Sequence, residues 1–233
     1  MKKRIWELDA LRGLLLLGMI GIHLIYDLVD LYGILPWQLP RWYLLFKNNY
    51  GHCFLILSGV CATLGSRCVR RGHQVFACGF LCTAATVLMY ALGAAGKDIL
   101  IYFGVLHCLG CCMMLWPLFR SWKPGGLLGV GLVLIAAGYY LQGMAFSFPW
   151  LTVLGFVPYG FASSDFFPLL PNLGFFLAGA WIGKRFYQEK RTRFPVPGKE
   201  PLPFLRWCGV HSLEIYLLHQ PILAGVCFLL TLT

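Results

Sequence analysis

The stretch Glu7–Asp30, ELDALRGLLLLGMIGIHLIYDLVD, decides what kind of protein this is. With Arg12 set at zero and about 100° per residue, Asp9, His23, Tyr26, Asp27 and Asp30 fall at roughly +60°, +20°, −40°, +60° and 0° of an α-helix. Six ionisable or hydrogen-bonding side chains therefore share one side of a segment that is otherwise leucine, isoleucine, glycine and methionine. Such groups are costly within lipid unless they face a protein interior or a watery cavity, so the stripe reads as the wall of a functional cavity.

Working outward, the 233 residues are 59% hydrophobic and only 12% charged, a composition that excludes an ordinary soluble domain. Apolar runs near the roughly 20 residues needed to span a bilayer occur at about 10–29, 50–67, 74–95, 99–119, 125–143, 167–183 and 207–230. The expected fold is all-α: a polytopic membrane helix bundle of about seven transmembrane helices forming one domain over 1–233. The net charge of +10 is distributed by topology. With the N-terminus inside, fifteen of the nineteen Lys and Arg residues, from Lys2, Lys3 and Arg4 to Lys199 and Arg206, fall on the inner side. Arg41, Lys47 and Lys97 fall outside, and Arg12 lies within the first span. This is a positive-inside pattern with N-in and C-out, in the cytoplasmic membrane, rather than a nucleic-acid surface.

Most of the ten cysteines lie in apolar spans, where cysteine behaves as a small hydrophobe. Cys108-x-x-Cys111 has no second pair nearby, and no metal is expected. The basic segment 184–206 reads as a flexible connector. The aromatic, Pro- and Gly-punctuated segment 144–166 reads as a lid or cap at the outer interface.

His23 and Asp27 are four apart and so neighbours on one helix face. A carboxylate beside an imidazole orients it and supports its charged form, which is the equipment of a general base. At about 1.5 Å per residue, His23, His52, His107 and His219 reach the middle-to-outer part of the bundle. At the inner end, Asp9 and Arg12 open the first span, and His211 and Glu214 open the last. A guanidinium suits a phosphate-bearing acyl carrier. It suits equally an Asp9–Arg12 pair that closes the helix end.

ELDALRGLLLLGMIGIHLIYDL, FLILSGVCATLGS, YFGVLHCLG, DFFPLLPNLGFFLAGAWIG and GVHSLEIYLLHQPIL together resemble a bacterial multi-pass family related to the heparan-alpha-glucosaminide N-acetyltransferase catalytic domain. The spacing from Arg12 to His23 also resembles the signature of the acyltransferase-three family. The resemblance implies a membrane acyltransferase that carries an acetyl or other short acyl group from acyl-CoA to a saccharide or amino-sugar acceptor of the cell envelope. It implies His23 as the catalytic histidine and Arg12 on the donor side. Val210 stands where the family commonly has arginine, and the loop block that holds the active histidine of the human lysosomal enzyme has no counterpart here.

These readings give an expected catalytic group of His23, Asp27, His107 and His219. Asp9, Arg12, His211 and Glu214 are expected on the acyl-CoA side, and His52, Asp30 and Asp165 on the acceptor side. The partners are acyl-CoA, the acceptor and the lipid bilayer. Two rival readings are a haem-binding redox protein with histidines on facing helices, and a transporter or lipid-binding protein whose stripe moves protons or substrate. The charge distribution is checked by topology reporters: one fused after Thr233 is expected outside the cytoplasm and one within 188–200 inside it. Both on the same side would refute an odd number of spans.

Overall fold

The computed structural model describes residues 4–93, 96–196 and 201–232. Lys2, Lys3, Lys199 and Thr233 lie outside the described residues. Among those described the regular elements are eight α-helices: Trp6–Tyr26 (α1), Arg41–Leu64 (α2), Cys68–Ala91 (α3), Val105–Phe119 (α4), Pro124–Gln142 (α5), Leu169–Phe186 (α6), Pro203–Val210 (α7) and Ser212–Leu230 (α8). Four helical stretches are long and apolar enough to cross a membrane: 6–31, 68–91, 124–142 and 212–230. The segment 105–119 is apolar but shorter. Leucines such as Leu81, Leu88 and Leu132 are exposed on these helices, as lipid-facing surfaces require.

Several boundaries differ from the apolar runs. α2 begins at Arg41, because Lys47, Asn48 and Asn49 are accommodated inside the helix. α4 begins only at Val105, because the chain before it is tied to the segment before α6: Phe167 N–H donates to the Phe103 carbonyl (2.9 Å) and Ser164 N–H to the Leu100 carbonyl (3.3 Å). The last run breaks at His211, which separates α7 from α8.

The chain divides into two compact units, residues 1–54 with 190–233, and 55–189. The first is built on α1. Its opening turn carries Glu7 and Asp9, which favour the positive end of the helix dipole. α7 lies directly against it at Gly13 and Gly209. A Cβ on Gly209 would run into the Asp9 carbonyl oxygen, and one on Gly13 into that of Leu205. Leu16, Met19 and Cys208 form the core, with Tyr50, Ile215 and Tyr216 packed around it. The tyrosines donate to backbone oxygens: Tyr50 Oη to Leu15 (3.0 Å) and Tyr32 Oη to Ala224 (3.0 Å). The connector expected to be loose is strapped to α1. Glu7 accepts from Thr192 Oγ1 and the Arg193 N–H, both at 2.7 Å, and Trp6 Nε1 donates to the Phe194 carbonyl at 3.0 Å.

The second unit packs α3 on α4 and α5 on α6. Its core includes Leu55, Cys108, Cys112, Trp116, Leu127, Phe176 and Leu177. Cys108 and Cys112 are fully buried there, as expected of cysteine used as a small hydrophobe. Lys184 Nζ closes the end of α4 by donating to the carbonyls of Arg120 (2.7 Å) and Trp122 (2.6 Å).

The α1–α7 approach makes a direct test. Gly209→Ala is expected to destabilise the purified protein by about 1–3 kcal/mol, read as a lower melting temperature in detergent, because the backbones must separate. Gly129→Ala, on a side of α5 with nothing within 4 Å, is expected to leave the melting temperature unchanged or raise it.

Candidate functional site

The polar stripe of α1 survives as far as Tyr26. Asp27–Leu31 then forms a π-helical turn. Each residue of such a turn advances by less than in an α-helix. The wheel therefore fails for Asp30, which is exposed rather than on the buried side, with Lys47 Nζ 3.9 Å from its Oδ2. Asp27 is fully buried.

Two side-chain contacts with α8 bear on this stripe. The rings of His23 and His219 meet edge to face with centroids 5.0 Å apart. One turn further along α1, Gln220 Nε2 donates to both carboxylate oxygens of Asp27, at 3.0 and 3.1 Å. Asp27 thus pairs with Gln220 rather than holding the His23 ring as its spacing predicts. Gln220 lies next to His219 in sequence, and nothing in periodicity alone distinguishes it.

His219 is oriented by its own helix. Its Nδ1 bonds the Tyr216 carbonyl, which can only accept, so the proton lies on Nδ1. In the neutral ring Nε2 then carries the lone pair, and it is buried without a hydrogen-bond partner among the described residues. A fixed tautomer with an available lone pair is the requirement for a general base. Lys47, expected on the outer side of the membrane, lies over the Tyr26 ring at 4.4 Å and joins the same group of residues through Asp30.

His107 belongs to the second unit and has a different environment. Its Nδ1 accepts from the Gly104 N–H (3.3 Å), closing the first turn of α4. Phe76, Phe80 and Phe103 surround the ring at centroid distances of 5.3, 5.1 and 5.6 Å. It is buried, 2% exposed, and closes the start of a helix. Asp165, expected at the acceptor side, completes the same cap: its Oδ2 accepts from the Val105 N–H at 3.0 Å. The 144–166 segment is therefore anchored at its end, and Ser163 Oγ (2.9 Å) and Ser164 Oγ (2.7 Å) add bonds to the carbonyls of Leu100 and Ile99. His52 is half-buried on α2 in the first unit.

At the other end of α1, Asp9 is buried and paired with Arg12 Nη1 (3.1 Å) and Arg4 Nε (3.3 Å). Arg12 Nη1 also donates to the Gly209 carbonyl at 3.4 Å. The helix-closing reading of the Asp9–Arg12 pair is the arrangement found. His211 is exposed at the α7–α8 break, its ring 5.1 Å from that of Trp207, and Glu214 is exposed one turn on. Among the described residues no three His, Cys, Asp or Glu side chains group to hold a metal ion.

Apolar helices long enough to cross a bilayer, with a buried carboxylate and a histidine pair on two of them, define an all-helical membrane protein. Residues 4–221 match the family described as heparan-alpha-glucosaminide N-acetyltransferase, catalytic, and the chain belongs to it. It is thereby a member of a membrane acetyltransferase family. No curated protein and no solved structure matches.

The cap on α4 has a measurable pH signature. Burial pushes the Asp165 carboxyl from its usual 3.8 up to about 6, and the Val105 N–H offsets this only in part. The fold therefore binds the proton more tightly than the unfolded chain does, and stability falls as pH rises from about 4 to 6. That loss is up to about 3 kcal/mol. Asp165→Asn keeps an oxygen for Val105 and is expected to remove this part of the pH slope, measured by melting temperature between pH 4.5 and 6.5.

Proposed function

We propose that this protein is an acyl-CoA-dependent acyltransferase, with seven spans, N-in and C-out, in the cytoplasmic membrane. It transfers an acetyl or other short acyl group to a hydroxyl or amine on a saccharide or related envelope molecule. The family match across 4–221 supports an acetyltransferase acting as one domain over 1–233. The basic residues on one side support the orientation.

The single observation that carries the mechanism is the His23–His219 contact, with the His219 tautomer set by Tyr216. His219 Nε2 takes the proton of the acceptor O–H or N–H as the oxygen or nitrogen attacks the thioester carbonyl. The new C–O or C–N bond forms, the C–S bond breaks, and the CoA thiolate takes the proton back from the imidazolium. His23 fixes the ring by packing against it. Asp27, held by Gln220, supplies a buried negative charge that favours the imidazolium. Exposed Asp30 and half-buried His52 are assigned to the acceptor side. The CoA phosphates are assigned to the inner face, near His211 and Glu214 at the α7–α8 break, with Asp9 and Arg12 holding the adjoining helix end.

Incubation of purified protein with labelled acetyl-CoA and an envelope extract is expected to label an acceptor. His219→Ala is expected to lower the rate by about 10²–10⁴-fold, the worth of a positioned base. His23→Ala is expected to cost less. The double variant is expected to be little worse than His219→Ala, because the two act as a unit. Losses that multiply would refute the pair, and full activity in His219→Ala would refute the base.

A further inference from the structure

Gln220 ends in an amide whose two atoms have different surroundings. The Asp27 carboxylate can only accept, so Nε2 must face it, as the 3.0 and 3.1 Å contacts record. Oε1 is then turned away from Asp27. It is buried and has no hydrogen-bond partner among the described residues. On the preceding residue, His219 Nε2 is buried without a partner too. An unsatisfied buried acceptor is unfavourable, and each one in a folded protein calls for a missing donor.

The chemistry of the set selects the donor. Asp27, Gln220 Oε1 and neutral His219 Nε2 all accept, and among the described residues no cation lies within ion-pair distance of Asp27. Such a group repels phosphates and carboxylates and takes hydroxyls and amines, so the nucleotide end of CoA does not belong here. The backbone is irregular on both sides of the pair. Asp27 begins the π-helical turn, and Pro221, directly after Gln220, deprives α8 of one backbone N–H. π-turns inside helices are frequent at functional sites.

Resting on the acyltransferase reading, we infer that Gln220 is a specificity-determining residue whose Oε1 takes a hydrogen bond from the acceptor, beside the atom that His219 deprotonates. Gln220 thereby has two tasks on its two amide atoms: Nε2 orients Asp27, and Oε1 reads the acceptor.

The test uses the full chain in detergent, with glucose and glucosamine as hydroxyl and amine probes. Gln220→Met keeps the length and removes both amide atoms. It is expected to raise the KM for the probe by about 10–100-fold, the scale on which a polar site separates a bonded group from its absence. The KM for acetyl-CoA is expected to stay within about twofold, since the donor is not read here. The probe is also expected to raise the melting temperature of the wild type but not of Gln220→Met. If Gln220→Met does not fold, Gln220→Glu, which keeps an Oε acceptor, is expected to hold the probe KM within about threefold while kcat changes. Unchanged probe KM in Gln220→Met, equal rises in both KM values, loss of probe affinity in Gln220→Glu, or no thermal response of the wild type to either probe each overturn the inference. A thermal response lost in Gln220→Met, without any acetyl transfer by the wild type, keeps the Gln220 subsite and refutes the acyltransferase reading instead.

Discussion

The constraint behind the first unit is the cost of placing a carboxylate in hydrocarbon. Asp27 is fully buried just past the end of a helix that is mostly leucine, isoleucine, glycine and methionine, and Gln220 answers it with a neutral amide. A cation in that place would neutralise the charge. An amide orients the carboxylate and preserves its negative field. The same bond sets α1 and α8 in register, and this register brings the rings of His23 and His219 together. At the far end of α1 the solution differs: Asp9, nearer the polar boundary, is paired with two arginines.

The second unit handles polar groups in a more local way. The start of α4 receives Asp165 and the His107 ring, and its end receives Lys184. Each closes backbone groups that a short helix cannot close for itself. Glycine then lets the helices approach. A Cβ on Gly79 would press on the His107 ring, and one on Gly179 would run into the carbonyl oxygen of Ile56. Small residues at helix contacts serve where lipid supplies no hydrophobic drive to associate.

Much of this was legible in the residues. Hydrophobic runs announce the helices, and the Asp9–Arg12 spacing announces a pair at the helix end. His23 and Asp27 stand out because charge is rare in such surroundings. Three things were hidden. The π-turn at Asp27 removes Asp30 from the stripe, and a wheel of constant pitch has no means of detecting it. The partners of Asp27 and His107 come from segments distant in sequence, or from backbone groups that no side-chain pattern marks. Lys47 looks like an interruption of a span, yet its long stem lets the ammonium reach Asp30 and Tyr26 from inside α2.

The bonds that hold α1 join residues far apart in sequence: Glu7 waits for Thr192 and Arg193, and Asp27 for Gln220. The second unit is continuous in sequence, residues 55–189. During synthesis, then, the whole of this unit is made before α7 and α8, the closing helices of the first. α1 is made before that unit and is paired only after it. Until α8 emerges, the Asp27 carboxylate has neither its amide partner nor the His219 ring beside His23, so the most deeply buried charge of the first unit is the one that waits longest for its partner.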